Sequence, residues 1–518
     1  MINNPRARLC VPVCVRRAGE LAPAVERAAQ LSDVIELRLD CLADDAQLET
    51  AMRELRAHLL ARPRPVILTL RPAGQGGFRD LDQPKRLLFW CNNFYKGNDL
   101  ADFADIELEQ AEGVEQVGKY IRGVEWERVI CSHHDFVGVP DDLEAIYERM
   151  SRTPARILKI AVQADEITDC LPVINLLERA RREGRDLIAV AMGEAGLLTR
   201  VLAHAFGSFL TYGSLDAASA TALGQVTAAQ LRDLYRVHSI TEQTMITGLV
   251  GSPVSHSVSP HIHNAAFAAL GVDAVYIPFE TRDARAFSRR MAHPRTREMS
   301  WNLRGFSVTA PHKGAIMGGL DFTEASAREI GAVNTVVCAG DELHGYNTDA
   351  AAALAPLRDL IDLAHARVAV IGAGGAARAL LRSLRDANAG TTVFARDAER
   401  AREVAEKFDA EVRTLGGASF DSFDAVVNAT PLGTSGGRES ETAATAEQLR
   451  GVRVAYDLVY NPSETRFLRE ARAAGCERVV GGLPMLVAQA AAQFELWTGV
   501  PAPLEVMRRA AEKKLAGE

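Results

Sequence analysis

The sequence predicts an α/β protein with an N-terminal (β/α)8 TIM barrel and a C-terminal two-domain unit, in which an α/β substrate domain precedes a Rossmann dinucleotide-binding domain. Three observations predict this. Short apolar segments alternate with longer amphipathic ones over about the first 235 residues. The strand pattern restarts near residue 245, and a glycine-rich strand–turn–helix follows near residue 372. A chain of 518 residues has room for two or three cores.

Eight segments supply the predicted barrel strands. Each is rich in apolar or β-branched residues, and helix-period segments such as 46–61 separate them. The strand segments are 9–15, 33–39, 65–71, 104–109, 128–133, 156–161, 186–192 and 208–213. An open α/β sheet is the alternative, but eight evenly spaced units favour a closed barrel with its chemistry at the C-terminal strand ends.

Lys159 is the most informative polar residue near these strand ends. It lies between Leu158 and Ile160 in an apolar strand, which predicts a side chain inside the barrel. Burial disfavours the ammonium form, and a neutral amine could attack a ketone to form an iminium. A histidine of the pair His133–His134 could then remove the acidified C–H proton. A snorkelled surface lysine and a histidine metal site are the alternatives, but no further ligands stand at metal spacing, so we predict no metal.

This half of the chain resembles the type I 3-dehydroquinate dehydratases. The motifs, in order from residue 8 to about 236, are ELRLD, TLRPAGQGG, VICSHHDF, ILKIA, AMGEAGLLTRVL and TALGQV. The resemblance implies that Lys159 forms a Schiff base and that His134 is the general acid and base. The substrate-binding residues that it implies are Glu36, Arg38, Arg71, Met192, Arg200, Thr221 and Gln225.

Two departures from that family's pattern bear on the first site. Gln75 stands where the family usually has glutamate, which removes a possible carboxylate partner of the histidine or of the leaving hydroxyl. Residues 221–225 are Thr-Ala-Leu-Gly-Gln, where many members have Ser-Ala-Pro-Gly-Gln. The hydroxyl is kept, but the loop sequence differs.

After a linker near 237–244, the pattern restarts with a strand, a turn and a polar helix start. Ser257 and Ser259 stand there, and their hydroxyls and amides suit a carboxylate, although a plain helix cap is the alternative. Lys313 follows a strand-like segment and Asp349 ends the motif GYNTD. Such a pair across a cleft can move the proton that accompanies hydride transfer to a ketone, whereas a structural salt bridge is the alternative.

The segment 366–384 predicts a strand, a glycine-rich turn and a helix whose start binds a dinucleotide pyrophosphate. The pyrophosphate residues are Gly372, Gly374, Gly375 and Ala376. Arg396 ends the next strand, where an NAD-type site would carry an acidic residue, and Arg400 follows one turn later. Two guanidinium groups suit a 2′-phosphate, which predicts NADP(H). Asp397 would repel that phosphate or turn towards a ribose hydroxyl, which would reduce the preference for NADP.

From Gly251 to Gln489 the chain resembles shikimate dehydrogenase. The motifs, in order, are GSPVSHSVSP, SVTAPHK, GAVNT, GYNTD, GAGGAAR, VNATPLGT, YDLVYNPSET and GGLPMLVAQ. The resemblance implies that Lys313 and Asp349 are the catalytic pair. The substrate-binding residues that it implies are Ser257, Ser259, Thr309, Asn334, Asn347, Tyr460 and Gln489. Further implied cofactor contacts are Asn428, Thr430, Gly482 and Met485. Ser307 stands where many bacterial members have asparagine, which weakens that one contact.

Composition narrows the remaining possibilities. The net charge of −8 argues against nucleic acid and against an anionic membrane surface as partners. No stretch reaches the ~20 apolar residues of a membrane span, and the start lacks the apolar part of a secretion signal, so we expect a cytoplasmic protein. Its 8 scattered cysteines, without a CxxC pair, predict reduced thiols. We expect small-molecule substrates and a monomer or weak homo-oligomer.

Together these patterns predict a barrel at 1–238, a substrate domain at 244–348 joined by C-terminal helices at 486–518, and an NADP-binding domain at 349–485. The whole chain resembles the bifunctional dehydroquinate dehydratase–shikimate dehydrogenases of plants and some bacteria. The resemblance implies dehydration of 3-dehydroquinate through a lysine iminium, followed by reduction of 3-dehydroshikimate to shikimate with NADPH. A quinate or mixed quinate/shikimate dehydrogenase and a catalytically inactive ligand sensor are the alternatives. The retained catalytic residues favour the enzyme.

Overall fold

The computed structural model describes residues 7–57, 62–95, 97–112, 124–216 and 226–517, and the strands in these ranges build three β-sheets. The strands are β1 Leu9–Val13, β2 Val34–Arg38, β3 Val66–Thr69, β4 Phe103–Glu107, β5 Val129–Asp135, β6 Ile157–Gln163, β7 Asp186–Met192, β8 Thr211–Tyr212, β9 Met245–Gly251, β10 Ala274–Glu280, β11 Leu303–Val308, β12 Phe322–Thr323, β13 Thr335–Ala339, β14 Glu342–Tyr346, β15 Arg367–Ile371, β16 Gly390–Ala395, β17 Glu411–Thr414, β18 Ala425–Asn428, β19 Val454–Asp457 and β20 Arg478–Val480. The α-helices are α1 Leu21–Ala29, α2 Asp45–Arg56, α3 Gln83–Asn93, α4 Leu108–Glu112, α5 Leu143–Ser151, α6 Cys170–Arg182, α7 Leu197–Val201, α8 Ser259–Leu270, α9 Ala284–Phe287, α10 Ala325–Ile330, α11 Asp349–Arg358, α12 Gly375–Asp386, α13 Ala398–Lys407, α14 Arg466–Ala473, α15 Leu483–Thr498 and α16 Leu504–Leu515.

The first sheet is the predicted barrel. Its parallel strands follow the order β7-β6-β5-β4-β3-β2-β1-β8. β8 pairs with β1, and its other side meets β7 where the Phe209 amide donates to the Leu187 carbonyl at 2.8 Å. Side chains from distant strands meet inside, because Lys159 Nζ on β6 lies 2.8 Å from Asp105 on β4 and 3.5 Å from Glu36 on β2. The (β/α)8 architecture is therefore confirmed, and the open-sheet alternative is wrong.

Several strand boundaries differ from the prediction, most of them by one or two residues, and three of the differences have a visible cause or consequence. The segment 208–213 contributes only the two residues of β8, since Ser208 Oγ donates to the Leu210 carbonyl and so shapes a turn. The fourth strand ends at Glu107, and α4 begins at the next residue. β5 extends to Asp135, so both residues of the predicted histidine pair lie within a strand.

The second and third sheets belong to the C-terminal half. The second is mixed, in the order β10-β9-β11-β13-β14-β12, with β13 antiparallel to both neighbours. The third is parallel, in the order β17-β16-β15-β18-β19-β20. Counted from β15, this order is 3-2-1-4-5-6, the order of the doubly wound dinucleotide-binding sheet. The expected substrate and Rossmann-like folds are therefore confirmed.

The apolar core of the barrel continues into the second sheet without a break. Leu198 on α7 and Leu202 belong to the same cluster of buried side chains as Ile277, Phe279 and Phe306. Helix α7 packs against β10, which places a barrel helix directly on the second sheet. The predicted linker lies along this contact and is held by hydrogen bonds to both sides.

The expectation that all cysteines are reduced thiols is wrong for one pair. Cys14 and Cys41 form a disulfide, with Cα atoms 5.4 Å apart. Each cysteine follows one of two adjacent parallel strands, β1 and β2, so the pair meets at one edge of the sheet despite a separation of 27 residues.

The described residues include neither a membrane-spanning helix nor a cluster of metal-binding side chains. Of the helices in this part of the chain, none has both the length and the apolarity needed to cross a membrane. Across the same residues, no group of three or more His, Cys, Asp or Glu side chains is arranged to hold a metal ion.

Candidate active sites

The C-terminal ends of the barrel strands enclose a cavity of about 550 Å³. The sequence-predicted residues that line it are Glu36, Arg38, Arg71, His134, Lys159, Met192 and Arg200. Lining residues that sequence reasoning missed are Gly76, Phe136, Ala161, Val190 and Tyr212. Thr221 and Gln225 lie outside the described residues. The structure thus gathers seven predicted residues around one space, six of them from five elements and Arg71 from the loop after β3.

A carboxylate that the sequence analysis missed lies at the centre of this site. Asp105 is fully buried, and its Oδ2 accepts hydrogen bonds from Lys159 Nζ at 2.8 Å and from Arg71 Nη2 at 2.7 Å. Burial alone would raise the pKa of Asp105, but the charges of Arg71 and Lys159 outweigh it and hold that pKa well below its usual range. The sequence did contain an indication of this site, because Asp105 and Glu107 are acidic residues at alternate positions of an otherwise apolar strand, so both side chains point to the same face.

His134 is held as a neutral base. Arg71 Nη1 lies 2.7 Å from His134 Nε2, and because a guanidinium only donates, Nε2 accepts and the ring proton resides on Nδ1. Burial, together with the charges of Arg71 and Lys159, lowers the pKa of His134 well below its usual 6.5. The ring is therefore neutral at neutral pH, and its one in-plane lone pair, on Nε2, is held by Arg71, so this bond must open before Nε2 can accept a substrate proton.

The arginines of the cavity differ in their partners. Arg38 forms a two-pronged ion pair with Asp40, through Nε at 3.0 Å and Nη2 at 2.8 Å. Arg200 is buried, donates to the Tyr212 carbonyl at 3.2 Å, and has no carboxylate partner within the described ranges. Burial lowers the pKa of Arg200 to about 10, so it stays cationic at neutral pH. A buried cation without a carboxylate partner favours an anionic ligand.

Gln75 takes part in holding the histidine strand. Its Oε1 accepts from the backbone amide of His134 at 3.2 Å, and its Nε2 donates to Glu109 Oε1 at 3.3 Å. A glutamate could also accept from the amide but would repel Glu109. In this chain the neutral side chain connects the end of β5 to the start of α4.

A second cavity, of about 670 Å³, lies between the second and third sheets. Its sequence-predicted lining residues are Ser257, Ser259, Thr309, Lys313, Asn334, Asp349, Tyr460, Gly482, Met485 and Gln489. Gly482 and Met485, predicted beside the cofactor, thus share a wall with the predicted substrate residues. Asn347 instead uses its side chain on the backbone, donating to the Ala332 carbonyl at 2.8 Å and accepting from the Ala350 amide at 3.2 Å.

Lys313 and Asp349 form the pair that the sequence predicted. Lys313 Nζ donates to Asp349 Oδ2 at 2.6 Å, and Asn334 Nδ2 donates to the other carboxylate oxygen at 2.8 Å. The Asp349 side chain is 8% exposed and that of Lys313 is 27% exposed. Asn334 therefore holds the carboxylate in place, and the lysine side chain reaches from it into the cavity. This arrangement is more typical of a proton donor than of a surface salt bridge.

Ser307 belongs to a buried network below this cavity. Its hydroxyl accepts from Tyr276 Oη at 2.9 Å and donates to Gln493 Oε1 at 2.8 Å. Gln493 Nε2 in turn donates to Thr335 Oγ1 at 3.1 Å. Ser307 was expected to make a weaker contact with the substrate than asparagine would. Gln493, to which it is bonded, also lines the cavity and was not predicted.

A third cavity adjoins the glycine-rich turn. It is lined by Gly372, Gly374, Arg396, Arg400 and Thr430, and also by the unpredicted Arg438. A Cβ built at Gly374 or Gly375 would meet no protein atom, so open space stands at the N-terminus of α12, where Ala376 is the second residue. Exposed backbone amides and three guanidinium groups are the donors that a pyrophosphate and a 2′-phosphate require, so the residues fit NADP(H).

Two side chains beside this cavity have structural contacts. Asp397 caps α13, because its Oδ1 accepts from the Arg400 amide at 3.0 Å. Asn428 is fully buried and bonds to Asp457 and Thr430, so it shapes the loop instead of lining the cavity. Asp397 also lines the cavity, so its carboxylate stands beside Arg396 and Arg400 while it caps the helix.

Comparison with known proteins matches four family models along the chain. The models described as type I 3-dehydroquinase and as shikimate dehydrogenase substrate binding domain match residues 9–242 and 249–336. Those described as shikimate/quinate 5-dehydrogenase and as shikimate 5′-dehydrogenase C-terminal domain match 355–451 and 482–512.

Similar proteins include one that spans both halves. The chloroplastic bifunctional 3-dehydroquinate dehydratase/shikimate dehydrogenase of Arabidopsis thaliana is 32% identical, covering 98% of this chain and 84% of its own. The shikimate dehydrogenase (NADP(+)) of Moorella thermoacetica is 42% identical, covering 52% of this chain and 93% of its own. Among solved structures, the dehydroquinate dehydratase and shikimate dehydrogenase from S. pombe AroM covers 98% of this chain and 99% of its own at 24% identity, with a TM-score of 0.44.

Proposed function

Because the chain belongs to the family of bifunctional 3-dehydroquinate dehydratase/shikimate dehydrogenases, we propose that its two sites catalyse consecutive reactions. The barrel dehydrates 3-dehydroquinate to 3-dehydroshikimate, and the second site reduces 3-dehydroshikimate to shikimate with NADPH. The observation that carries this proposal is the presence in one chain of two lysine-centred sites, Lys159 with Asp105 and His134, and Lys313 with Asp349. The domains proposed are 1–238, 244–348 with 486–518, and 349–485.

We assign the Schiff-base role in the barrel to Lys159. Its deprotonated Nζ attacks the ketone carbon, and loss of the ketone oxygen as water leaves an iminium. Asp105, 2.8 Å from Nζ, orients the amine and stabilises the positive charge of the iminium. His134 removes a proton from the adjacent carbon, giving an enamine, and then protonates the hydroxyl that leaves from the next carbon as water. Hydrolysis of the resulting conjugated iminium releases the product and restores the lysine.

The same site binds the anionic part of the substrate. We assign the substrate carboxylate to Arg200, the buried guanidinium that has no carboxylate partner within the described residues. Arg38 and Glu36 are assigned to the hydroxyl groups, and Met192 packs against the ring. A neutral substrate would leave the Arg200 charge uncompensated, so this assignment also supports an acid as the substrate.

In the second site, bound NADPH supplies a hydride to the ketone carbon. Lys313 donates a proton to the ketone oxygen, and Asp349, held by Asn334, receives or returns protons through its 2.6 Å contact with the lysine. Ser257 and Ser259, at the start of α8, hold the carboxylate. Asn334, Thr309, Tyr460 and Gln489 surround the hydroxyls. In the reverse reaction the same pair accepts the hydroxyl proton of shikimate.

The direct test is NADPH consumption after adding 3-dehydroquinate alone. Oxidation of NADPH requires both sites to work in sequence and would support the proposal. No oxidation, with 3-dehydroshikimate still accepted, would show that the barrel is inactive. Inactivity towards both compounds would favour the ligand-sensor alternative, and a preference for quinate in competition would favour the quinate dehydrogenase alternative.

The pKa of His134 predicts the pH dependence of the dehydratase. The base form of His134 is the neutral ring. Because the pKa of His134 in the folded protein lies well below 6.5, the ring stays neutral as the pH falls through 6.5. We expect kcat/KM for 3-dehydroquinate, measured from pH 8 down to pH 5, to show no acid limb centred near 6.5 that titrates this histidine. An unfolded histidine does take up a proton at its usual 6.5, so the stability contribution of His134 is complete above that pH and is lost as the pH falls below it. A limb near 6.5 that disappears in His134→Asn would contradict the expectation.

Arg396 predicts the choice between cofactors. Arg396→Ser should raise the KM for NADPH by about 10- to 100-fold, because a charged hydrogen bond to the 2′-phosphate is lost, and should leave the KM for NADH within about twofold. Steady-state kinetics with both cofactors measure the ratio. Arg402→Ser, which removes a half-exposed arginine from the helix α13 that follows Arg396, is the matched control. Equal losses with NADH and NADPH would show that Arg396 serves the structure of the pocket instead.

A further inference from the structure

One of the contacts between the barrel and the dehydrogenase half is made by the carboxylate of Glu166, near the end of strand β6. Glu166 lies three residues after β6, the strand that carries Lys159. Its Oε2 accepts from Thr281 Oγ1 at 2.8 Å and from the backbone amide of Arg282 at 2.9 Å. Glu166 is itself fixed, because its amide donates to Asp169 Oδ2 at 3.0 Å. A rigid acceptor of the barrel thus holds two consecutive donors of the other half.

Thr281, which donates to Glu166, is also bonded to two loops of the dehydrogenase site, one that begins at Gly251 and one that contains His312 and Lys313. Its amide donates to the Gly251 carbonyl at 2.9 Å, and Gly251 opens the segment that carries Ser257 and Ser259. Its carbonyl accepts from His312 Nε2 at 2.8 Å, and His312 is followed directly by Lys313. Thr281 and His312 are 1% and 5% exposed, so these bonds are shielded from water.

We propose that Glu166 is a positioning residue for the dehydrogenase reaction: the barrel, through Glu166 and Thr281, sets the position of the Gly251 loop and of the His312–Lys313 loop. This rests on the proposed function of the second site. Its physical basis is that Lys313 must deliver a proton to one oxygen atom, and a misplacement of about 1 Å can cost about 100-fold in rate. The carboxylate accepts through charge-assisted bonds, which are about twice as strong as neutral ones.

The ion pair between the Arg282 side chain and Glu166 is not the interaction that positions the loops. Arg282 Nε lies 3.9 Å from Glu166 Oε1, but the arginine side chain is 76% exposed, so that ion pair contributes little. The bonds to the Thr281 hydroxyl and to the Arg282 amide are shorter and act on the backbone. Both sides rest on the apolar core that the barrel shares with the second sheet.

The test uses Glu166→Ala and Glu166→Gln in the full chain, with both activities measured on each protein. We expect Glu166→Ala to lower kcat for shikimate oxidation by about 5- to 10-fold, with the KM for NADP unchanged because Thr281 is not among the residues that line the cofactor cavity. Dehydration of 3-dehydroquinate should stay within about twofold of the unmodified chain, and Glu166→Gln, whose amide oxygen still accepts, should restore most of the dehydrogenase kcat. Glu127→Ala removes an exposed barrel glutamate and is the matched control.

Thr281→Val separates a direct contact from general damage. It removes the hydroxyl that Glu166 accepts from but keeps the backbone bonds to Gly251 and His312. If the two side chains act through each other, the double variant loses less dehydrogenase kcat than the product of the single losses. An unchanged kcat in Glu166→Ala, or a parallel fall of both activities, would overturn the positioning role. An unmodified chain without dehydrogenase activity would overturn the proposed function first, and the positioning role with it.

Discussion

Lys159→Met is expected to lower dehydratase turnover by at least about 1000-fold, because no other amine that could form the iminium is found among the described residues that line the cavity. Shikimate oxidation by the same protein should stay within about twofold, which makes the dehydrogenase an internal measure of folding. Borohydride added during turnover should attach the substrate covalently to the unmodified chain and not to the variant, and intact-protein mass spectrometry detects the difference.

Two further variants isolate the chemistry from the charge at Lys159. Methionine removes the cation beside Glu36 and one of the two cations beside Asp105, which then keeps only Arg71, and this loss of charge pairing is itself destabilising. Lys159→Arg keeps a cation in place but cannot form an iminium, so it should be equally inactive and more stable. Lys85→Met, at a lysine whose side chain is 72% exposed, should change nothing. Dehydratase activity in Lys159→Arg would show that the reaction does not need a Schiff base.

Lys313→Met has the second-largest expected effect. Loss of the proton donor should lower kcat for reduction of 3-dehydroshikimate by about 100- to 1000-fold, with little change in the KM for NADPH. Supplied with 3-dehydroquinate and NADPH, the variant should accumulate 3-dehydroshikimate, which chromatography and ultraviolet absorbance measure. Because the side chain is 27% exposed, the substitution should cost little stability.

The control for Lys313 is Lys513→Met, at an exposed position on α16. It should leave both activities unchanged. If Lys313→Met kept more than about a tenth of the kcat, the proton would have to come from water or another side chain, and the pair with Asp349 would be structural.

Site residues that stand out from their immediate neighbours in the sequence could be predicted as candidates. Lys159 stood out as a charge in an apolar strand, and Arg396 as a cation where an acid is common. Both depend on position within one element, so neighbouring residues are enough to identify them. The barrel and the dinucleotide fold were predictable for the same reason, since strand and helix periodicities are local.

What the sequence could not predict depends on contacts between distant elements. Asp105 carries the same alternation as many buried strand residues, and only the closed barrel brings it to Lys159. Asp397 lines the cavity beside Arg396, and its carboxylate also caps helix α13, a contact that the sequence analysis did not include. Cys14 and Cys41 meet through strand pairing, and Glu166 meets Thr281 across 115 residues. No periodicity carries such information.

The continuous apolar core between the barrel and the second sheet has an evolutionary consequence. Two enzymes that merely shared a linker could be separated again by a break in their gene. Here Leu198 and Leu202 on one side, and Ile277 and Phe279 on the other, exclude water together. A break near residue 240 would expose them, at a cost of about 25 cal/mol per Å² of apolar surface and with a new tendency to aggregate. A chain with such a shared surface is therefore easier to keep fused than to divide.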